Sequence, residues 1–465
     1  MSHTHSHARS QTVRTAVARV PRNVLLVVLC TVAVATMIGL IALWPHGGRA
    51  TVSSDAAQFA AKGTTFPNAE IVSITPQCPD LGEPSSSQPD TETSACELAE
   101  VRILSGRRAN TTATVELQGP FAGAGLRPGD TLELMVSPPV AGIDSSDTGG
   151  VDPEVSVFGI VRTAPLALWV GLFVLVVAAV GLLRGVLALV GLAFSGLMIV
   201  AFILPALLGG GSGMAVALTG ASAILYVVLY LAHGLSLRTS AALAGTLAGV
   251  LITALIAQLA VGTSRLSGIG DEEASFLAGM TSHMNFQGLL TCAIIIAGLG
   301  VLNDVTITQS SSVWELRAAA PHLPRRHIFT RAMRIGRDHI ASTIYTIVFA
   351  YAGASLSVLL LLYIYNRPLL SLLSYEDIAT EIIRTLCSGI GLVLAVPITT
   401  AIAALLLPAD TPRENREGEQ DALADVPPES TSTAEWLRAL KAPPDAAEEA
   451  PASPTTARVT PSSPG

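Results

Sequence analysis

Residues 301–315 read Val-Leu-Asn-Asp-Val-Thr-Ile-Thr-Gln-Ser-Ser-Ser-Val-Trp-Glu and follow directly on the apolar run Leu289–Gly300. Continued as one helix, Asp304, Thr308, Ser311 or Ser312, and Glu315 recur at i, i+4, i+7/8 and i+11, which is one face, with Asn303 and Gln309 flanking it. An ionisable group in a membrane span costs roughly 2.5–3.5 kcal/mol on insertion scales. Such a residue is kept for a use or held by a partner. An acid in a wet cavity can carry a proton or an ion; an acid paired to a guanidinium is a structural clamp. Arg337 and Asp338 precede the next apolar run. On an antiparallel neighbour they would reach the depth of Asp304 and either pair with it or repel it. Lipid does not tolerate this face, so it is expected to look into the bundle or a cavity.

Eight stretches are apolar enough to position these residues, at about 20 residues per span: Val24–Trp44, Ala164–Leu183, Val186–Leu208, Met214–Ala232, Ser240–Val261, Met284–Asn303 with a continuation toward Trp314, Ile340–Tyr365 and Ile383–Leu407. Only Arg184-Gly185 separates the second from the third. Arginines before the first span, at Arg184, at Arg238 and through 304–339 fall on one side of an eight-span chain. By the excess of positive charge inside, both termini are expected in the cytoplasm and 45–163 outside. Val24–Trp44 is too long for a signal-peptide core and reads as an uncleaved anchor.

Composition agrees. Half of the 465 residues are apolar, 13% are charged, and mean hydropathy is +0.55. Soluble proteins carry about a quarter charged residues. The net charge of −8 comes mainly from the C-terminal tail and the 45–163 segment. No basic patch alternates with aromatics, so nucleic acid is not an expected partner. No GxSxG, HExxH or Gly-Lys-Ser/Thr motif is present, so neither an enzyme nor a cofactor is expected. Nor does any cysteine or histidine spacing suggest a metal site. Alternating His3, His5 and His7 read as incidental.

Segment 45–163 carries five short alternating runs, 70–74, 99–104, 112–117, 131–136 and 155–161, with a turn at Leu126–Asp130. Period-two alternation bounded by Gly and Pro marks strands. Five of them suggest a small β-barrel, with the OB arrangement as one option. Cys78 and Cys96 lie in this segment and could form a disulfide if it is extracellular. Residues 409–465 are rich in Pro, Ala, Ser, Thr and acids and read as a disordered cytoplasmic tail.

Other groups are weaker candidates. The 263–273 connection, with Arg265, Asp271 and Glu272, could be an outer gate; a capped loop is the plainer reading. His233 ends the fourth span and reads as a solvated anchor. Gly245 and Gly249 form a GxxxG pair that could serve an oligomer contact. Pro205 and Pro397 should bend their helices.

Several ordered motifs now combine: His233-Gly234, Gly245-Thr246, Leu266-Ser267-Gly268, Asn285-Phe286-Gln287-Gly288, Gly298-Leu299-Gly300 through Asp304, and Gly336-Arg337-Asp338 followed by Ala350–Leu356. This resembles the YibE/F-like family of bacterial multi-pass membrane proteins, from about Arg162 to Leu407. The resemblance implies a plasma-membrane protein without an assigned substrate, and maps the family's acid to Asp304. Tyr345 and Ser357 depart from its usual Asn and Pro. Gly300 to Arg317 is more distantly similar to a helix pair of resistance–nodulation–division permeases, where the acid helps carry protons.

The expected architecture is therefore an all-α polytopic bundle of about eight spans with a small extracellular β-barrel-like domain. Its parts are a basic tail at 1–23, an anchor at 24–44, the β-rich segment at 45–163, a membrane domain at 164–408 and the tail at 409–465. The expected function is proton- or ion-coupled transport of a small ion or solute. The alternative is a membrane scaffold or sensor whose β-domain binds a partner.

Overall fold

The structure is a computed structural model. It describes residues 18–45, 63–75, 97–106, 108–137, 155–281, 284–364 and 368–408. Cys78, Cys96 and both terminal tails lie outside the described residues.

The first helix, α1 (Arg19–Ala42), buries Leu25 and Leu29 against the bundle. Tyr226 donates its hydroxyl to the Leu29 carbonyl at 2.6 Å, and the Ala18 amide donates to Leu406 O at 3.0 Å. The anchor is thus a packed member of the bundle.

Five antiparallel strands follow: β1 (Asn68–Thr75), β2 (Glu97–Ile103), β3 (Thr112–Leu117), β4 (Thr131–Val136) and β5 (Val155–Ile160). Their order is β3-β2-β1-β4-β5. The alternation seen in the sequence has its physical counterpart: Ile71, Val101, Ile103, Val115, Leu117, Leu132 and Leu134 form a buried core, while Glu70 and Arg102 pair on the opposite face at 2.6 Å. The edge strands β3 and β5 come together, so the sheet curls. Asp130 accepts from the Arg127 amide at 2.8 Å and closes the expected turn. From Ile160 only Val161 and Arg162 intervene before α2.

Helix α2 (Thr163–Met198) continues through a π-helical turn (Ile199–Ile203) into α3 (Leu204–Leu208). It is not straight. Leu182 has φ 49° and ψ −138°, and a methyl added at Gly185 would collide with the Val177 carbonyl oxygen. In an unbroken helix residues eight apart are about 12 Å apart, so the chain turns back here, two residues before the expected Arg184-Gly185 turn.

The rest of the bundle is α4 (Gly213–His233), α5 (Leu237–Thr263), short α6 (Glu272–Met280), α7 (Phe286–Ala319), α8 (Arg325–Ala354), α9 (Leu356–Ile364), short α10 (Leu369–Leu373) and α11 (Glu376–Leu406). Among the described residues six helices are long and apolar enough to cross a membrane, and seven if the α8–α9 pair, bent by 65°, is one span. The expected seventh span, 340–365, is thus broken at Ser355.

Helices α5, α7 and α11 form the centre, and small residues let them approach. A Cβ on Gly245 would strike Thr399, one on Gly391 would strike Thr253, and one on Gly249 would lie 2.9 Å from Ala395 and 3.0 Å from Leu302. The Gly245–Gly249 pair, which could have served an oligomer contact, packs inside the chain. The threonines bring no orphan donors: Thr246, Thr253, Thr399 and Thr400 each return a hydroxyl hydrogen bond to the carbonyl four residues earlier, at 2.7–2.9 Å. This is how polar side chains sit in a close helix contact without water.

Candidate functional site

Helix α7 carries the expected polar run as continuous helix. Its 34 residues span about 51 Å, well beyond a hydrocarbon core of about 30 Å. Two faces have different fates. The buried face holds Thr306, Gln309 and Ser310. Thr306 meets Thr246 of α5 through a 2.5 Å hydroxyl contact, and Ser310 donates to Arg238 O at 2.8 Å. Gln309 Nε2 donates to Ala332 O of α8 at 3.0 Å and to Thr400 Oγ1 of α11 at 2.7 Å. Gly336 permits this, since a Cβ there would lie 2.9 Å from Gln309 Oε1.

The opposite face bears Asp304, Thr308, Ser311, Ser312 and Glu315. It is the open side of the helix, with Asp304 and Glu315 exposed and the hydroxyl residues partly buried. Thr308, Ser311 and Ser312 donate to their own helix's carbonyls at 2.7–2.9 Å. Their polarity is thereby muted. Glu315 lies 3.9 Å from Arg238. Among the described residues no ion pair joins Asp304 to Arg337; Arg337 and Asp338 both stand exposed on α8. The expected three-residue cluster is not assembled. Asp304 is not at the helix end either. Thr306 packs on Thr246, about 14 Å along α5 from Leu237.

At the end of the bundle where the sheet attaches lies a cavity of about 410 Å³. Its walls come from Gly270 and Asp271 before α6, Leu289 and Ala293 of α7, Ser355 at the α8–α9 break, and Asp377, Glu381 and Arg384 of α11. Arg384 pairs with Glu381 at 3.1 Å. Asp377 Oδ1 is buried without a hydrogen-bond partner among the described residues. Asp271 caps α6 by accepting from the Ala274 amide at 2.6 Å. Glu376, one residue before Asp377, accepts from Ser267 N at 2.8 Å, Ser267 Oγ at 2.5 Å and Gly268 N at 3.1 Å. It pins the 266–268 loop to α11. Of the expected gate residues, Asp271 lines this cavity; Arg265, at φ 51°, and Glu272 are exposed nearby in sequence but are not among its lining.

Ala293 links the two sites. Ala293, Ala297, Gly300 and Asp304 are spaced i, i+4, i+7, i+11 and share one face of α7. A methyl at Gly300 would meet nothing within 4 Å; Ala293 and Ala297 are partly buried and Gly300 and Asp304 exposed, so the face opens from the cavity toward the acid.

Sequence reasoning passed over Asp377, Glu381 and Arg384. They stand at i, i+4 and i+7 of α11, the periodicity that drew attention to Asp304. Arg384 even lies inside the expected span 383–407, where the charge argument applies to it equally.

Long apolar helices with glycine-packed, internally hydrogen-bonded contacts define a multi-pass helical membrane protein. The chain belongs to the YibE/F-like family: the family described as YibE/F-like protein matches residues 169–409, more than half of its length. No curated protein and no solved structure matches it.

Proposed function

We propose that this chain is a proton- or ion-coupled permease, with the cavity as the entry and the open face of α7 as the route to Asp304. The observation that carries the reading is the shared face: a cavity-lining residue, Ala293, and an acid with no ion pair among the described residues lie on one stripe of a helix that is open at Gly300. The cavity lining holds three carboxylates, Asp271, Asp377 and Glu381, against one guanidinium, and the α7 stripe adds no cation. That balance favours a cationic solute or the proton itself.

This reading takes the chain as eight spans, with α2 divided at Leu182 and α8–α9 counted as one. Both termini then lie in the cytoplasm and the sheet outside. The strand order with adjoining edges supports an OB-type barrel for the sheet.

The test is flux through purified chain in proteoliposomes, over a panel of monovalent cations and anions with and without a pH gradient. Cation flux is expected, and Asp304→Asn should abolish its pH dependence while the variant melts at the wild-type temperature. Full flux with unchanged pH dependence in Asp304→Asn would overturn the coupling role. No flux of any ion, with loss of cellular function only on deleting the sheet, would favour a sensor.

A further inference from the structure

Six arginines lie between residues 317 and 337, and the fold uses them in two ways. Arg317 is buried and donates to the carbonyls of Pro321 at 2.8 Å and Leu323 at 3.1 Å, fixing the α7–α8 turn. Arg325 donates to Pro408 O at 3.1 Å and to Leu407 O, tying the start of α8 to the end of α11. The other four, Arg326, Arg331, Arg334 and Arg337, are exposed. Among the described residues no ion pair engages any of them, and Asp338 is the sole acid in α8.

The four are not scattered around the helix. At 100° per residue they fall on one side of α8, opposite the buried Ile328, Ala332 and Gly336. Further along the same side stand Tyr345, 63% exposed, and Phe349, 72% exposed. Arg334 and Tyr345 are three turns apart on nearly one line; Arg331 and Phe349 are five turns apart on another. One uncovered face thus passes from guanidinium groups to aromatic rings along its length. That gradient matches the crossing from a headgroup layer into acyl chains.

We propose that this face binds the phosphate headgroups of anionic phospholipids. Four guanidinium groups against one carboxylate on the same side, Asp338, leave a surplus of three positive charges as the charge complement. A guanidinium fork matches two phosphate oxygens at once, and the long arginine stem lets a residue set as far along the helix as Arg337 reach back to the headgroup level. Continuity with the aromatic surface selects a lipid over a soluble acidic partner, whose contact would end where the arginines end. The inference does not depend on transport.

The experiment uses the full chain in bilayer nanodiscs doped with spin-labelled phosphatidylglycerol or phosphatidylcholine, reading the motionally restricted lipid fraction by electron paramagnetic resonance. The wild type is expected to enrich phosphatidylglycerol several-fold over phosphatidylcholine. The quadruple variant Arg326→Gln, Arg331→Gln, Arg334→Gln, Arg337→Gln should lose that preference, and the quadruple lysine variant should keep part of it. If the glutamine variant fails to fold, Arg331→Gln with Arg334→Gln should still reduce the preference at least twofold. No preference in the wild type, or full preference in a folded glutamine variant, overturns the proposal. Displacement by millimolar inorganic phosphate would also overturn it, since that marks a site for free anions.

Discussion

Gly300 and Gly391 make opposite demands on a single methyl group. Gly391→Ala drives a Cβ into Thr253 at the α5–α11 contact. Overpacking of this kind costs about 1–3 kcal/mol, so its melting temperature in detergent should fall. Gly300→Ala meets open space and gains up to about 1 kcal/mol of helix propensity. It should melt no lower than the wild type, yet narrow the stripe between cavity and acid and reduce flux. Unchanged flux in that variant would argue against the α7 route. Nothing in the sequence separates the two glycines, since glycine spacing is the same whether the approaching surface is another helix of the chain, a second copy or empty space. Asp304 was legible because hydropathy makes a carboxyl conspicuous. The muting of Thr308, Ser311 and Ser312 by their own carbonyls was not, since composition does not say where a hydroxyl donates.

At the scale of elements, the start of α11 governs the cavity. Glu376 holds three donors of the 266–268 loop on one carboxylate oxygen. Glu376→Ala is expected to speed amide hydrogen exchange at Ser267 and Gly268 by tenfold or more, with little change in central α5. Equal protection in the variant would mean that packing, rather than this carboxylate, secures the loop. Apolar runs placed the last span at Ile383, seven residues after the helix begins at Glu376. The first turns of a spanning helix can be polar where they meet an interface, and a hydropathy criterion trims them. That trimming hides Asp377 and Glu381; Arg384 lies inside the run, where its apolar neighbours outweigh one charge. The break at Ser355 has Gly353 beside it but no proline, and a lone glycine between apolar flanks reads as part of one span.

At the scale of the whole molecule, the reversal at Leu182 decides the topology. If α2 crosses twice, single cysteines replacing Arg184 and Arg238, in a cysteine-free background, should react with a membrane-impermeant maleimide from the same side. One replacing Asp271 should react from the other. A probe at position 184 that reacts only after solubilisation would leave the 163–208 stretch as one crossing and overturn the eight-span reading. The alternation of the 45–163 strands and the long apolar runs make the bundle-plus-sheet plan legible in the sequence, because burial imposes periods of 2 and 3.6 on residue choice. How strand edges meet, and which helices share a contact, depends on pairings distant in the chain.

One connection carries a mechanical consequence. Strand β5 ends at Ile160 and α2 starts at Thr163, and both residues between are engaged: the Val161 amide donates to Thr131 O at 2.9 Å, and Arg162 O accepts from the Leu166 amide at 3.0 Å. A tether that short transmits force instead of absorbing it. Whatever grips or twists the sheet delivers its pull to the opening turn of α2, and a reorientation of the strands by even a few ångströms must tilt that helix or tear its first hydrogen bonds.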